Sequence, residues 1–139
     1  MVDLELKTKI LFEISEIDEL LSKSSLLLQK CQIHEPDFIE LSAVGSTIHS
    51  FYNGLENIFL MIQKNIDKKI STKERWHSEL LLSMFDKNDN RKALLRESLK
   101  NLYLTIWVFV TFLGTHMGII FVGIWQNRFL KICNLFGRK

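Results

Sequence analysis

The sequence predicts an all-α protein, an antiparallel helical bundle with an atypical hydrophobic helix at its C-terminal end. Apolar residues recur every three or four positions along the first hundred residues, which is the repeat of an amphipathic helix. No stretch keeps the strict alternation of a strand, and no internal repeat or glycine-rich phosphate loop occurs. With one proline and six glycines in 139 residues, the composition fits one globular domain and excludes linker-like and collagen-like classes.

The first helix is predicted over residues 3–31. Its apolar positions share one helical face, and Glu19 and Lys23 form an i,i+4 ion pair of the favourable orientation. The helix is expected to end within residues 32–36, because Pro36 cannot continue a helix. The apolar positions are Leu4, Ile10, Leu11, Ile14, Ile17, Leu20, Leu21, Leu27 and Leu28.

The second helix is predicted from Phe38 to Ile66. Pro36 is tolerated in the first turn of a helix, and the apolar stripe that follows it is long. The helix should therefore have about 30 residues, against an average of about 11–12. Two long helices joined by a short turn pair most simply as an antiparallel hairpin.

The remaining helices are shorter. A third helix is predicted over residues 74–85 and a polar loop over residues 86–92. A fourth helix is predicted from Ala93 onwards, with Leu94, Leu95, Leu99 and Leu102 as its apolar positions.

Charge is distributed unevenly along the chain. All 16 acidic residues lie between Asp3 and Glu97, whereas the last 39 residues contain none, together with four basic residues and five of the ten phenylalanines. The formal net charge of +2 is close to neutral and by itself gives no electrostatic argument for a nucleic acid or membrane partner. We divide the chain into a helical bundle core, 1–106, and an atypical hydrophobic segment, 107–139.

The hydrophobic segment allows an alternative reading. Residues 102–125 carry no formal charge and exceed the about 20 apolar residues that a transmembrane helix needs. Gly114 and Gly118 form a GxxxG pattern that packs membrane helices, and the basic residues after the segment would lie on the cytoplasmic side. The alternative is a single-span inner-membrane protein with a cytosolic helical hairpin.

Five residues are candidates for contact with RNA or with a protein partner. An aromatic ring beside a cation suits single-stranded RNA, although a Trp packed on the bundle with polar neighbours explains the same residues. The i,i+4 pair in the second helix suits a cleft wall or a half-buried structural pair equally well. No cluster has metal spacing and no nucleophile has a base beside it, so no catalytic residue, metal or cofactor is predicted. The candidates are Tyr52, Glu56, Arg75, Trp76 and His77.

Three segments resemble a known family. They are LSAVGSTIHSFYNGLENIFLMIQKNID, ERWHSELLLSMF and RKALLRESLKNLYLTI, and they are similar to the HepT-like branch of the HEPN superfamily. The resemblance implies a cytoplasmic helical-bundle ribonuclease toxin that cleaves RNA without a metal and acts as a homodimer. It also implies a partner, a nucleotidyltransferase (MntA-like) antitoxin.

The resemblance further implies an Arg-x4-His-x-Tyr motif on the fourth helix. In that motif the His would be the general base for the ribose 2′-hydroxyl and the Arg would hold the phosphate. The motif should follow Ile106, but no Arg occurs between Arg96 and Arg128. His116 is no substitute, because no Arg stands four to six positions before it. The chain as written is therefore expected to be inactive.

A change of reading frame accounts for the missing motif. With suitable synonymous codons for residues 107–124, a shifted frame encodes Arg-His-Phe-Phe-Arg-His-Thr-Tyr, which contains the motif. We therefore expect a single-nucleotide frameshift near Ile106–Trp107, which would also explain the acid-free tail. The DNA sequence after codon 106 decides this, because a gene without the motif in any alternative frame excludes it. A third hypothesis is a catalytically dead decoy that binds the antitoxin through the first three helices.

Overall fold

The computed structural model describes residues 3–70 and 74–113. These ranges contain four α-helices and no β-strand, which confirms the predicted all-α class. The helices are α1 (Leu4–Ile33), α2 (Phe38–Asn65), α3 (Trp76–Ser83) and α4 (Lys100–Leu113). A short 3-10 helix, Glu97–Leu99, directly precedes α4.

Polar side chains cap the two long helices at the ends that the sequence predicts. The Asp3 carboxylate accepts a hydrogen bond from the backbone N–H of Glu5 at the start of α1. Asp37 and Glu40 form a capping box at the start of α2, in which each side chain accepts from the other residue's backbone N–H. The turn between the helices contains Pro36, so the chain reverses where helix continuation is blocked.

Helices α1 and α2 run antiparallel, as the hairpin prediction requires. Side chains early in α1 meet side chains late in α2, because the amide of Asn57 donates to the Glu13 carboxylate over 3.5 Å. Further along α1, the hydroxyl oxygens of Ser24 and Thr47 lie 3.1 Å apart. The sum of the paired residue numbers stays nearly constant, which is the signature of antiparallel helices.

Helix α2 lies at the centre of the hydrophobic core, with α1 packed on one side of it and α3 and α4 on the other. Helix α4 contributes two buried side chains, Ile106 and Phe109, one on each side of the predicted boundary between residues 106 and 107. The boundary therefore falls inside a helix that packs on the bundle on both sides of it. The largest fully buried side chains are Ile48, Leu80, Leu81, Met84, Ile106, Val44 and Cys31.

The predicted start of the fourth helix at Ala93 is wrong. The backbone N–H groups of Leu94 and Leu95 both donate to the Met84 carbonyl oxygen, over 3.0 and 3.1 Å. Arg96 then has extended backbone geometry, and α4 begins only at Lys100. Apolar spacing suggested a helix here, but hydrogen bonds to the end of α3 hold this segment out of helical geometry.

Within the described ranges, none of the helices combines the length and the apolar character that crossing a bilayer requires. The second half of the alternative span lies outside the described residues. The GxxxG pattern at Gly114 and Gly118, His116 and the basic residues that follow also lie outside them.

Candidate functional site

The sequence candidates meet around one cleft. This α2–α4 cleft has a volume of about 600 Å³ and lies between α2, the start of α3 and α4. Tyr52 and Glu56 line it from α2, and Arg75 and His77 line it from the start of α3. Trp76 stacks on His77 from beside the cleft. The other lining residues are His49, Asn53, Glu74, Ser78, Trp107, Val110 and Thr111.

A short hydrogen bond joins α2 to α3 across the cleft wall. Nδ1 of His77 lies 2.6 Å from Oε1 of Glu56. Because an ionised carboxylate only accepts hydrogen bonds, Nδ1 carries the proton and donates it to Glu56. The carboxylate is 14% exposed and the imidazole 45% exposed. The largely buried carboxylate therefore fixes the ring, and among the described residues its contacts are made through Nδ1 and not through Nε2.

Trp76 has two kinds of contact, one with the hydrophobic core and one with His77. Its indole packs against the hydrophobic core and is partly buried. The same ring stacks on the His77 imidazole, with the ring centroids 3.5 Å apart and an interplanar angle of 29°. The indole therefore fixes the plane of the imidazole. The neighbouring Arg75 side chain is exposed and lines the cleft, so it supplies a cation there.

The Tyr52 side chain is buried in the floor of the cleft and belongs to the hydrophobic core. Burial and the nearby Glu56 carboxylate raise the pKa of the Tyr52 phenol far above its ordinary value. The hydroxyl therefore stays protonated at physiological pH. It is a neutral polar group in the cleft.

Sequence reasoning missed the rest of the cleft face of α2. His49 and Asn53 lie on the same face as Tyr52 and Glu56, since 49, 52, 53 and 56 follow the i, i+3, i+4, i+7 repeat. The Asn53 amide donates to Nδ1 of His49 over 3.3 Å. That repeat of polar and aromatic residues was the available signal. The α4 wall gave no such signal, because its residues there are Trp107, Val110 and Thr111.

The described residues contain no group of three or more His, Cys, Asp or Glu side chains placed to hold a metal ion. The site that the structure defines is a polar cleft in a helical bundle, with two imidazoles, one exposed guanidinium and an indole-lined wall.

Residues 43–109 match the family model described as HepT-like protein. The match spans α2 from its first turns, all of α3 and α4 up to Phe109, and so covers most of the cleft. Over this segment, just under half of its 139 residues, the chain is HepT-like. No curated protein and no solved structure matches it.

Proposed function

We propose that this chain is a HepT-like toxin-family protein that has lost the family's RNA cleavage. The family form would be a metal-independent endoribonuclease of a toxin–antitoxin pair. The observation that carries the proposal is where the family match ends. It stops at Phe109, three residues beyond Ile106, after which the sequence resemblance expects the catalytic motif. The matched segment therefore ends close to the position where the motif is expected, which supports the loss of the motif.

The α4 wall of the cleft supports this proposal. Trp107, Val110 and Thr111 line the cleft from one face of α4. In the shifted reading frame, the Arg-x4-His-x-Tyr motif begins within this same stretch of the helix. The motif Arg would therefore fall on the wall opposite Arg75 and His77, whereas the motif His and Tyr would fall beyond the described residues. None of these three side chains carries a positive charge for a phosphate or titrates near neutral pH, so the wall as written supports the loss of cleavage.

The proposal includes partners that the family relationship suggests: RNA for the active form, a second copy of the chain, and a nucleotidyltransferase antitoxin in the cytoplasm. An exposed apolar stripe supports an interaction surface on the bundle, because large exposed side chains in a group mark such surfaces. It lies on the face of α1 opposite the buried Leu6, Leu28 and Cys31. The stripe consists of Leu4, Leu11, Phe12, Leu26 and Ile33.

The test compares two versions of the gene, after its DNA has been sequenced across codons 100–139. One version encodes the chain as written, and the other restores the alternative frame after codon 106. We expect the purified chain as written to leave RNA intact and its expression to leave growth unaffected. The frame-restored chain should cleave RNA without added metal and arrest growth, and co-expression of the neighbouring nucleotidyltransferase should relieve the arrest.

The matched control is the frame-restored chain with the motif His changed to Ala, which should be folded and inactive. Growth arrest by the chain as written would overturn the loss of function. An inactive frame-restored chain would overturn the proposed ribonuclease activity itself.

A further inference from the structure

We propose that a second copy of this chain packs against the exposed apolar stripe of α1, as an antiparallel pair of α1 helices related by a two-fold axis. The inference rests on the proposed function only in naming a second copy as a partner. It does not depend on RNA cleavage, because α1 packs on the side of α2 away from α3 and α4, and so away from the α2–α4 cleft. The failure of one proposal therefore leaves the other standing.

Large apolar side chains of α1 are exposed on the face that points away from the bundle. Leu4 at one end of the helix is 76% exposed, and Leu26 and Ile33 at the other end are 75% and 84% exposed. Leu11 lies on the same face and is 53% exposed. With about 100° of rotation per residue, the four side chains fall within about 60° of one another around the helix axis. A group of this kind marks an interaction surface.

The positions of these four side chains are symmetric about the middle of the helix. Residues that face each other in an antiparallel helix pair have numbers with a constant sum. The residue numbers of Leu4 and Ile33 have the same sum as those of Leu11 and Leu26. A second copy in this register therefore places Leu4 against Ile33 and Leu11 against Leu26, and the two-fold axis repeats both contacts. The stripe is thus complementary to itself.

The polar positions on the same face follow the same register. Thr8 then faces Gln29 of the second copy, and Ser15 faces Ser22. None of the four is charged, and the two serines allow the helices to approach closely near the axis. The hydroxyls of Thr8 and Ser15 already donate to backbone carbonyl oxygens of their own helix, over 2.9 and 2.7 Å. A second copy therefore covers these hydroxyls without leaving them unsatisfied.

Charged side chains at the two ends of α1 also fit an antiparallel pair. Glu5 near the start of the helix and Lys30 near its end lie on the same side of the stripe, and both side chains are exposed. Each Glu5 therefore lies beside Lys30 of the second copy. A parallel pair would instead place each of these charges beside its own kind, so charge complementarity favours the antiparallel arrangement.

The centre of the pair carries a weak repulsion. The two-fold axis passes between Asp18 and Glu19, whose numbers have the same sum as the facing pairs. Glu19 forms an ion pair with Lys23 of its own helix, so its charge is offset. The Asp18 carboxylates of the two copies approach each other, and their repulsion is strongest at low ionic strength.

The area of the contact fits a weak dimer. Helix α1 has 30 residues, which makes it about 45 Å long. Two helices of that length and about 10 Å width bury roughly 900 Å² in total. Transient complexes bury less than about 1,200 Å², so we expect self-association that depends on protein concentration.

Sedimentation equilibrium of the chain as written, over a range of protein concentrations at neutral pH, measures this self-association. The molar mass should rise with concentration, and Leu26→Asp should halve the mass reached at the highest concentrations. The variant places two carboxylates per dimer in an apolar contact, so the dissociation constant should rise by about 100-fold or more. Because Leu26 is 75% exposed, the fold should stay intact, which circular dichroism checks.

The matched control is Ile70→Asp. Ile70 is 76% exposed but follows α2 and lies outside the stripe, so this variant should keep the mass of the unmodified chain. A second variant acts in the opposite direction. Asp18→Asn should lower the dissociation constant by about two- to fivefold in low salt, and this difference should disappear in high salt.

Disulfide cross-linking tests the register. All variants carry Cys133→Ser, and the remaining Cys31 is buried. Asp18→Cys should form a linked dimer on oxidation, because the two copies of this position meet at the axis. Leu11→Cys alone should not, because its two copies lie about 22 Å apart along the helices. A mixture of Leu11→Cys and Leu26→Cys chains should link.

Three results would overturn the proposal. The first is a chain whose mass does not rise with concentration. The second is a mass that Leu26→Asp leaves unchanged, which is expected if the chain's own residues 114–139 or a different protein cover the stripe, or if the copies meet elsewhere. The third is a linked dimer from Leu11→Cys alone, which indicates a parallel pair.

Discussion

Asp67 and Arg91 form a buried ion pair that joins the end of α2 to the loop after α3. Nε and Nη2 of Arg91 donate to the two carboxylate oxygens of Asp67 over 2.8 and 2.9 Å. The two side chains are only 7% and 3% exposed. The guanidinium also donates to three backbone carbonyl oxygens, those of Ser83, Asp86 and Lys92. One arginine therefore fixes the loop and the end of α3 against α2.

Replacing Asp67 with Asn should be strongly destabilising. The amide group of Asn would present N–H donors to the guanidinium, which has no acceptor, so at least one of the two hydrogen bonds is lost. Hydrogen bonds to charged groups contribute about 1.5–3 kcal/mol each. Breaking a buried ion pair by removing one partner costs about 3–5 kcal/mol. We expect the free energy of unfolding to fall by about 3–5 kcal/mol, out of a typical total of about 5–15 kcal/mol.

Urea unfolding followed by far-UV circular dichroism at pH 7 measures this loss. The matched control is Glu19→Gln, which removes an exposed ion pair with Lys23 and should cause no measurable change. The double variant Asp67→Leu with Arg91→Met should recover only part of the lost stability. Hydrophobic replacement removes both charges together, but the carbonyl oxygens of Ser83, Asp86 and Lys92 lose their donor. A loss below about 1 kcal/mol for Asp67→Asn would refute the reasoning.

The pH dependence of unfolding gives an independent check on the same pair. Burial raises the pKa of Asp67. Hydrogen bonds from Arg91 and Asn88, together with the positive charges of Arg91 and Lys69, lower the pKa by more than burial raises it, so the net pKa is below its ordinary value. The unfolded chain therefore takes up a proton at higher pH than the folded chain. The stabilisation is present above about pH 4 and is lost as the pH falls through the lower, folded-state pKa. In Asp67→Asn that part of the acid sensitivity should be absent.

Three further predictions concern packing, ionisation and backbone strain. A Cβ at Gly54 would lie 2.8 Å from Cγ1 of Ile17. Gly54→Ala should therefore lower the free energy of unfolding by about 1 kcal/mol. In a double-mutant cycle measured by urea unfolding, Gly54→Ala should instead be stabilising when Ile17 is replaced by Ala. Burial raises the pKa of both Tyr52 and Tyr103, so the native chain should show little phenolate absorbance at about pH 10. Stability should fall above that pH, because the unfolded chain releases protons that the folded chain keeps; half-ionised tyrosines in the native chain would contradict this. Lys68 has a φ of 55°, which glycine adopts more easily than lysine. Lys68→Gly should therefore raise the melting temperature and increase the free energy of unfolding by up to about 1 kcal/mol. A clear decrease in the melting temperature would show that the lysine side chain is needed.

The two long helices were predictable because local information decides them. Apolar periodicity and Pro36 place the ends of α1 and α2 within about two residues of the predicted positions. The start of the fourth helix was not predictable, because the two hydrogen bonds from Leu94 and Leu95 to the Met84 carbonyl oxygen at the end of α3 override local helix preference.

The candidate site was predictable only in part. Tyr52 and Glu56 share a face through helical spacing alone, and the residue types suggested a polar surface near Trp76. The bond between Glu56 and His77 spans 21 positions and depends on how α3 docks on α2. Such a contact has no periodic signature, so only the folded arrangement reveals it.

Two buried side chains, Ile106 and Phe109, attach α4 to the bundle on either side of the predicted boundary. Many apolar residues satisfy such positions, whereas the cleft face of the same helix needs particular chemical groups. The buried face of α4 therefore tolerates substitution much better than its cleft face does. Under the proposed function, an event that replaces the sequence after Ile106 would abolish cleavage and still supply a helix that packs. The protein would then stay folded without that activity, and its first three helices would remain available to any partner that binds them.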